Sequence, residues 1–247
     1  MIDSNLIYSL VIPCYNEADN LPKLINRCDN LISTRQDLEV ILVNNGSIDS
    51  SAAIFSRHID TEKNARLRVV TVEKNQGYGY GIVYGLHATR GMVIGWTHAD
   101  LQTDPADFLR AINLYESLEQ TNAYIKGKRK RRSLFDQIFT TGMTFFEYGL
   151  LGHWMDDINA QPNLFSRSFF KSLESPPKDF SLDLYFFFSA LEQRLPLYRF
   201  EVVFGSREHG VGNNENFISK ICYSLATIQY SLGLKKSMKD LDKKQIK

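Results

Sequence analysis

Short apolar runs alternate with stretches whose apolar residues recur every three or four positions, and this alternation fills the first half of the chain. Leu6–Ile12 is a β-rich run closed by Pro13, and Leu21, Leu24, Ile25 and Leu31 share one face of a helix over Asn20–Ile32. The series continues as a strand at Leu38–Val43, a helix at Ser50–His58, a strand at Leu67–Val72, a helix at Tyr80–Thr89 and a strand at Val93–Trp96. It closes on a helix over Pro105–Glu119 with Asp104 as its N-cap. Strands alternating with helices predict an α/β fold, a mainly parallel sheet with helices on both faces. The second half is less regular: a strand at Tyr124–Lys126, aromatic-rich helices at Leu134–Leu151 and Phe180–Glu192, a strand at Tyr198–Phe204 and an amphipathic helix at Phe217–Leu234. No Pro/Gly-rich linker divides the halves. The expected organisation is one domain over 1–212 and a C-terminal elaboration, 213–247, made of the amphipathic helix and a basic tail.

An open α/β sheet binds ligands beyond the carboxyl ends of its strands. Polar residues gather at those ends: Asn16 and Glu17, Asn44–Ser47, Asn75–Gly81 and Thr97–Gln102. The last group lies in WTHADLQTDP, Trp96–Pro105, which sets His98 and Asp100 two residues apart with Gln102 just behind. A carboxylate, an imidazole and an amide at a strand end have the chemistry to hold a divalent cation beside a diphosphate. The plainer reading, a solvated loop leading into a helix, uses Asp104 and leaves Asp100 unexplained.

Composition narrows the classes. The chain has 247 residues, 43% hydrophobic and 23% charged, which fits an ordinary globular protein with one substantial core. A formal net charge of +1 supplies no field for nucleic acid, and no aromatic residue interleaves the basic run KGKRKRR, Lys126–Arg132. Cys14, Cys28 and Cys222 form no CxxC pair and cannot all pair internally, which fits a reducing cytoplasm. The opening MIDSNLIYSLVIP carries Asp3 and no basic stretch, so it reads as a strand and not as a secretory signal. The longest uncharged stretch, Ile221–Leu234, is shorter than the ~20 residues that span a bilayer. Phe217, Ile221, Leu225, Ile228 and Leu232 share a helical face, with Lys235, Lys236 and Lys239 behind them. Two readings stand: the stripe packs on the domain, or it lies in the headgroup layer of an anionic membrane as a reversible peripheral contact.

Seven segments in order resemble glycosyltransferase family 2, in particular its dolichyl- and polyprenyl-phosphate sugar synthase branch. They are Val11-Ile-Pro-Cys-Tyr-Asn-Glu17, Val43-Asn-Asn-Gly-Ser-Ile-Asp49, Asn75-Gln-Gly-Tyr-Gly-Tyr-Gly81, His98-Ala-Asp100, Gly127-Lys-Arg129, Asp157-Ile-Asn-Ala-Gln161 and Phe204-Gly-Ser-Arg-Glu-His-Gly210. The resemblance implies a GT-A fold and inverting transfer from a nucleotide-diphosphate sugar with Mg²⁺ or Mn²⁺. It carries Pro13, Tyr15, Glu17 and Asn45 to the nucleoside pocket, Asp100 and Gln102 to metal and diphosphate, and Arg207 to the donor phosphates. It places Arg129 and Arg132 against an acceptor phosphate, and Asp157 and Asp183 at its two acidic positions near the acceptor.

Two departures from the family pattern change the expectations. Asn44 and Asn45 stand where two acids are usual. An amide offers one acceptor and two donors, which suits uracil's edge better than guanine's, so the donor leans to UDP with GDP the alternative. His98 replaces the first acid of Asp-x-Asp; it either joins a metal, for which imidazole favours Mn²⁺ over Mg²⁺, or touches the nucleotide. Gly77, Gly79 and Gly81 are expected to let backbone pass close to the donor. Lys126, Lys128 and Lys130 are assigned to general attraction of anions. Asp157 and Asp183 are rival general bases for a hydroxyl acceptor; an ionised phosphate acceptor needs none. The leading function is sugar transfer to a polyprenyl phosphate or related lipid-linked acceptor. The alternatives are transfer to a sugar hydroxyl of a polysaccharide or surface glycan, and nucleotide-sugar binding without turnover.

Overall fold

In a computed structural model, β1 (Tyr8–Cys14), β2 (Leu38–Asn45), β3 (Leu67–Val72) and β4 (Val93–Trp96) run parallel. α1 (Leu21–Thr34), α2 (Ser51–His58) and α3 (Tyr78–Ala88) connect them. α4 (Asp107–Glu116) leads to β5 (Tyr124–Lys130), α5 (Leu134–Leu151) to β6 (Asn163–Ser166), and α6 (Arg167–Ser172) and α7 (Leu182–Glu192) to β7 (Leu197–Val203). A further helix, α8, covers 225–236. The structure describes residues 6–59, 65–118, 122–130, 134–205 and 225–236, without the side chains of 134–139. The sheet order is β3-β2-β1-β4-β6-β5-β7. β6 enters antiparallel between β4 and β5, and β7 pairs parallel with β5 at the edge.

Period-two alternation divides the core. Leu10 and Ile12 of β1 with Val40 and Leu42 of β2 face the cluster that α1, α2 and α4 cover. Val11, Ile41 and Val43 face the other cluster, which α3, α6 and α7 complete with Trp96, Phe165, Phe169 and Phe186. Both faces of the sheet are thus buried, as a βα crossover series requires. The apolar runs of β3 and β4 give their strands to the residue. α4 starts later than its pattern suggests, because Asp104 caps the turn before it, accepting the Ala106 N–H at 2.9 Å. Within the described residues the basic run is strand: β5 continues through Lys130.

α8 corrects one expectation. Its packed face is Thr227, Tyr230, Ser231 and Leu234, with Tyr230 and Leu234 on the cluster of Leu151, Met155, Leu184, Phe187 and Phe188. Leu225 and Leu232 of the apolar stripe are exposed, whereas Ile228 is half-buried, so the stripe as a whole does not coincide with the packed face. Phe217, Ile221 and Lys239 lie outside the described residues. Among the described residues, no helix is long and apolar enough to cross a membrane.

One buried carboxyl joins α8 to α5. Glu147 is fully buried, its Oε1 accepts the Ser231 hydroxyl at 2.8 Å, and its Oε2 is buried with no partner. Burial pushes Glu147 up to about 7 from 4.5. The folded state therefore holds this proton more tightly than the unfolded chain. The associated stability is full below pH 4.5 and is lost as pH rises through 7, a difference of at most roughly 3 kcal/mol. Glu147→Gln is expected to remove that loss: melting curves of variant and parent should agree near pH 4.5 and separate by pH 8 with the variant higher. A parent at least as stable as the variant at pH 8 contradicts the assignment.

Candidate active site at the carboxyl edge

The β1–α1 and β2–α2 loops clasp each other through side chains. Asn16, in the left-handed region at φ 54°, donates its N–H to Ser47 Oγ at 3.1 Å and accepts the Ile48 N–H at 2.9 Å. Asp49 accepts the N–H groups of Ala18 and Ser51. Burial pushes the Asp49 carboxyl up, but the Ser51 and Ala18 hydrogen bonds outweigh it and leave the group below its ordinary value. Glu17 Oε2 accepts from Asn20 at 2.6 Å, and Tyr15 is exposed beside it. These hydrogen bonds tie the two loops into one unit at this side of the edge.

At the end of β4, Asp100 is buried and its Oδ1 accepts the Gln102 N–H at 3.1 Å, turning the chain through Leu101 at φ 58°. A branched apolar residue rarely adopts that conformation, and burial of Leu101 in the core holds it there. Gln102 is tied to the end of β7: its carbonyl accepts the Gly205 N–H at 2.8 Å, and its Nε2 donates to the Gly205 carbonyl at 3.3 Å.

Tyr78 links this loop to the second half of the chain. Its ring lies 5.8 Å from His98 and stacks on Phe180 at 4.7 Å. Its hydroxyl donates to Asp183 Oδ2 at 3.1 Å. Burial and the Asp183 charge hold that hydroxyl well above its ordinary range, so it stays protonated. Gln161 Nε2 donates to Asp183 Oδ1 at 2.7 Å, and Asn163 Nδ2 donates to Gln161 Oε1 at 2.6 Å. Lys126 Nζ ends the series, donating to Asn163 Oδ1 at 2.9 Å and to the Ala160 carbonyl at 2.8 Å.

Arg129 and Asp157 form a compact ion pair on the same strand end. Asp157, at φ 49°, accepts Arg129 Nε at 2.8 Å and Nη2 at 2.5 Å on Oδ1, and the Arg129 backbone N–H at 2.8 Å on Oδ2. The side chains are 14% and 8% exposed, and the guanidinium lies 5.1 Å from the Phe204 ring centre.

Comparison with known proteins decides the family. The profile described as glycosyl transferase family 2 matches residues 9–173, more than half of the chain. The chain belongs to glycosyl transferase family 2. It is 25% identical over 179 residues to a dolichyl-phosphate beta-glucosyltransferase of Dictyostelium discoideum, covering 66% of this chain and 55% of that protein. It is 30% identical over 179 residues to an undecaprenyl-phosphate 4-deoxy-4-formamido-L-arabinose transferase of Klebsiella pneumoniae, covering 66% and 53%. The chain spans about half the length of these relatives. Its fold is shared with a glucosyl-3-phosphoglycerate synthase from Mycobacterium tuberculosis, solved with Mn²⁺, UDP and glucosyl-3-phosphoglycerate: TM-score 0.70, 16% identity, 93% of this chain and 81% of that one. A mannosyltransferase from Pyrobaculum calidifontis, solved with GDP-Man and Mn²⁺, matches with TM-score 0.61 and 16% identity over 84% of this chain and 59% of that one.

Within this family 2 chain, the structure links several of the expected site residues through side-chain contacts and corrects two assignments. Asn45 is 2% exposed, its Nδ2 donates to the Gly77 carbonyl at 3.0 Å, and its Oδ1 is buried with no partner among the described residues, so the amide braces the α3 turn while its acceptor stays unengaged. The glycines serve packing: a Cβ at Gly77 would meet the Lys178 carbonyl at 2.3 Å, one at Gly79 the Pro177 carbonyl at 2.5 Å, and one at Gly81 the Asn45 amide at 2.7 Å. Lys126 is fully buried and cannot act as a general surface attraction, whereas Lys128 and Lys130 are exposed and pair with Asp156 and Glu201. Arg132 and Arg207 lie outside the described residues, although Gly205, two residues before Arg207, sits on Gln102. Tyr78, Asn163 and the role of Gln161 were not foreseen. Gln161 stood in a quoted motif without a function, and Tyr78 stood among the glycines.

Among the described residues no three His, Cys, Asp or Glu side chains converge as a metal site. The edge offers instead one carboxylate, one amide oxygen and one imidazole, from Asp100, Gln102 and His98. That small oxygen-rich set fits a cation whose remaining ligands come from a diphosphate and water, the usual manner of Mg²⁺ beside phosphates.

Proposed function

We propose that this chain transfers a sugar, with inversion, from a nucleoside-diphosphate sugar to the phosphate of a polyprenyl lipid. The Arg129–Asp157 pair carries this reading. Asp157 fixes the guanidinium through Nε and Nη2, so Nη1 has no part in the pair and can meet a second anion without reorganisation. Guanidinium geometry suits a phosphate, and a phosphate oxygen is already ionised near neutral pH, so the acceptor needs no base. The named activities of the two relatives, both on polyprenyl phosphates, support the same acceptor.

The remaining roles follow from position. Pro13, Tyr15 and Glu17 line the nucleoside side, and the Gly77 turn, braced by Asn45, closes it. Asp100, Gln102 and His98 would hold Mn²⁺ or Mg²⁺ against the diphosphate; when bound, the cation would offset the charge of the leaving group. Asp183, across Tyr78 from this loop, accepts hydroxyls of the donor sugar. Arg207 and Arg132 lie outside the described residues, and their assignment to the donor and acceptor phosphates rests on the family resemblance alone.

A sugar-hydroxyl acceptor is the second reading, favoured by one observation: Asp183 receives only neutral donors, from Tyr78 and Gln161 at 3.1 and 2.7 Å, as suits a general base. The deciding assay offers UDP- and GDP-sugars, with Mn²⁺, to polyprenyl phosphate and to soluble glycans in parallel. The expected product is a polyprenyl-phosphate sugar. Transfer only to glycans overturns the lipid-phosphate reading, and binding without any transfer marks an inert protein.

A lipid acceptor requires the protein to reach a membrane surface. Leu225 and Leu232 on α8 are exposed, and so are Phe145 and Tyr148 on α5 with Trp154 packed edge-on against both. Lys235 and Lys236 end α8. We assign these apolar groups to the headgroup layer as a peripheral contact, aided by ~1 kcal/mol per lysine at an anionic surface. The full chain is expected to sediment with phosphatidylserine vesicles at low salt and less so at high salt, and Trp154→Ser with Leu232→Ser should abolish it. A protein that stays in the supernatant at low salt rules the contact out.

A further inference from the structure

We infer that Lys126 is a positioning residue for Asp183: through Asn163 and Gln161 it fixes the direction of two buried amides and so aims the Asp183 carboxylate into the site. The inference rests on the reading above that Asp183 works there. Asn163, Gln161 and Lys126 are all 0% exposed and Asp183 is 2% exposed, so water does not compensate for a wrong orientation.

An amide side chain can sit either way round, and its neighbours choose. Asn163 Oδ1 receives Lys126 Nζ at 2.9 Å and the Tyr124 hydroxyl at 3.0 Å. A lysine ammonium has donors only, and burial raises the Tyr124 hydroxyl well above its ordinary range, so it keeps a proton to donate. Oδ1 must therefore face Lys126, and Nδ2 must face Gln161 Oε1, at 2.6 Å. That turns Gln161 Nε2 toward Asp183 Oδ1, at 2.7 Å. A donor-only group closes one end of the series and an acceptor-only carboxylate the other, with Tyr78 fixing the second carboxylate oxygen. The polarity runs one way from β5 to the site.

Lys126 is not there to form a salt bridge. Both of its hydrogen-bond partners are neutral oxygens, and the Phe187 ring lies 5.6 Å from its Nζ. The charged groups around it are Asp183 and Asp157, which favour its ammonium form, and Arg199 and Arg129, which oppose it. Burial outweighs them and brings Lys126 down to about 7 from 10.5. The neutral amine keeps two protons for these two bonds but also gains an acceptor lone pair, so it is the ammonium form that dictates the polarity of the relay.

The test uses the full chain labelled with ¹³C at the aspartate carboxyl carbons, with the Asp183 resonance assigned by its loss in Asp183→Asn. Lys126→Met fills the space but donates nothing. It is expected to displace the Asp183 resonance, to leave UDP–Mn²⁺ affinity within twofold, and to cut the transfer rate about tenfold or more. In an Asp183→Asn background the same change should cost less than twofold, because Lys126 acts through that carboxylate. Lys126→Gln, which keeps a donor toward Asn163, should retain more activity than Lys126→Met. A folded Lys126→Met with an unmoved Asp183 resonance overturns the inference, as does an equal loss in both backgrounds. If Lys126→Met does not fold, Asn163→Leu breaks the relay one link nearer Asp183 and is read by the same resonance. If Asp183→Asn itself transfers at the parent rate, the role of Asp183 in the site is wrong, and its resonance in the Asp183-containing variants still reports whether Lys126 orients it.

Discussion

Asp100→Asn is expected to reduce sugar transfer about a thousandfold and to bring UDP affinity in Mn²⁺ down to its metal-free level. The substitution separates two jobs of one side chain. Asp100 Oδ1 shapes the loop by accepting the Gln102 N–H, and an asparagine oxygen can accept it equally. What the amide lacks is the charge, and Asp100 is the one carboxylate of the His98–Gln102 loop. A cation beside a diphosphate contributes several kcal/mol to stabilising a leaving group, and each 1.36 kcal/mol is tenfold in rate, which gives the ~10³ estimate. Asp100→Ala removes the turn as well and should lower the melting temperature, whereas Asp100→Asn should not. His98→Ala, by comparison, is expected to cost far less, because an imidazole brings no negative charge. Titration calorimetry with UDP, with and without Mn²⁺, is the measurement. Unchanged Mn²⁺-dependent affinity in Asp100→Asn would remove this loop from the diphosphate site.

The first half of the sheet was legible because its strands are predominantly apolar, β-rich runs bounded by polar loops, even with Glu39 inside β2 and Arg68 inside β3. Val93–Trp96 and Leu67–Val72 needed no tertiary information. β6 escaped because it has four residues, begins with the buried Asn163 and is antiparallel in a series that predicts parallel strands. β5 was cut short because lysines at 126, 128 and 130 read as a solvated run. Only packing reveals that the first is sealed in the core and the other two are on the surface. The individual site residues were legible by position and not by partner. Asp157, Asp183 and Arg129 were named from an ordered set of motifs, yet the contacts that define them join residues 28 and 105 positions apart. Local patterning holds no signal at such separations. The glycines show the same limit from the other side: three glycines at a helix start suggested close approach of a nucleotide, and what approaches them is the Pro177–Asp179 backbone at Gly77 and Gly79, a hundred positions on, and the Asn45 amide at Gly81. The bond of Asn45 Nδ2 to Gly77 was equally hidden, because it depends on how the α3 turn folds back over β2.

Arg129→Ala is expected to do two separable things, and a second substitution divides them. The first is structural. The Arg129–Asp157 pair is 14% and 8% exposed, and removing one partner of a buried pair costs about 3–5 kcal/mol because it strands the other charge. The melting temperature should fall by about 10 °C on that account. The second is functional. A charge-assisted bond to an acceptor phosphate is worth roughly 1.5–3 kcal/mol, so use of polyprenyl phosphate should drop about ten- to a hundredfold, with UDP binding intact. In Arg129→Ala with Asp157→Asn no charge is left stranded, and most of the lost stability should return while the acceptor defect stays. Arg129→Lys keeps a charge but cannot bridge Asp157 and a phosphate together, so it should rank between the parent and alanine in both readouts. Thermal melting and acceptor-dependent initial rates, measured on the same four proteins, carry the comparison. Recovery of acceptor use along with stability in the double variant would mean that Arg129 only braces Asp157, and the acceptor phosphate would then have to be met elsewhere on this edge.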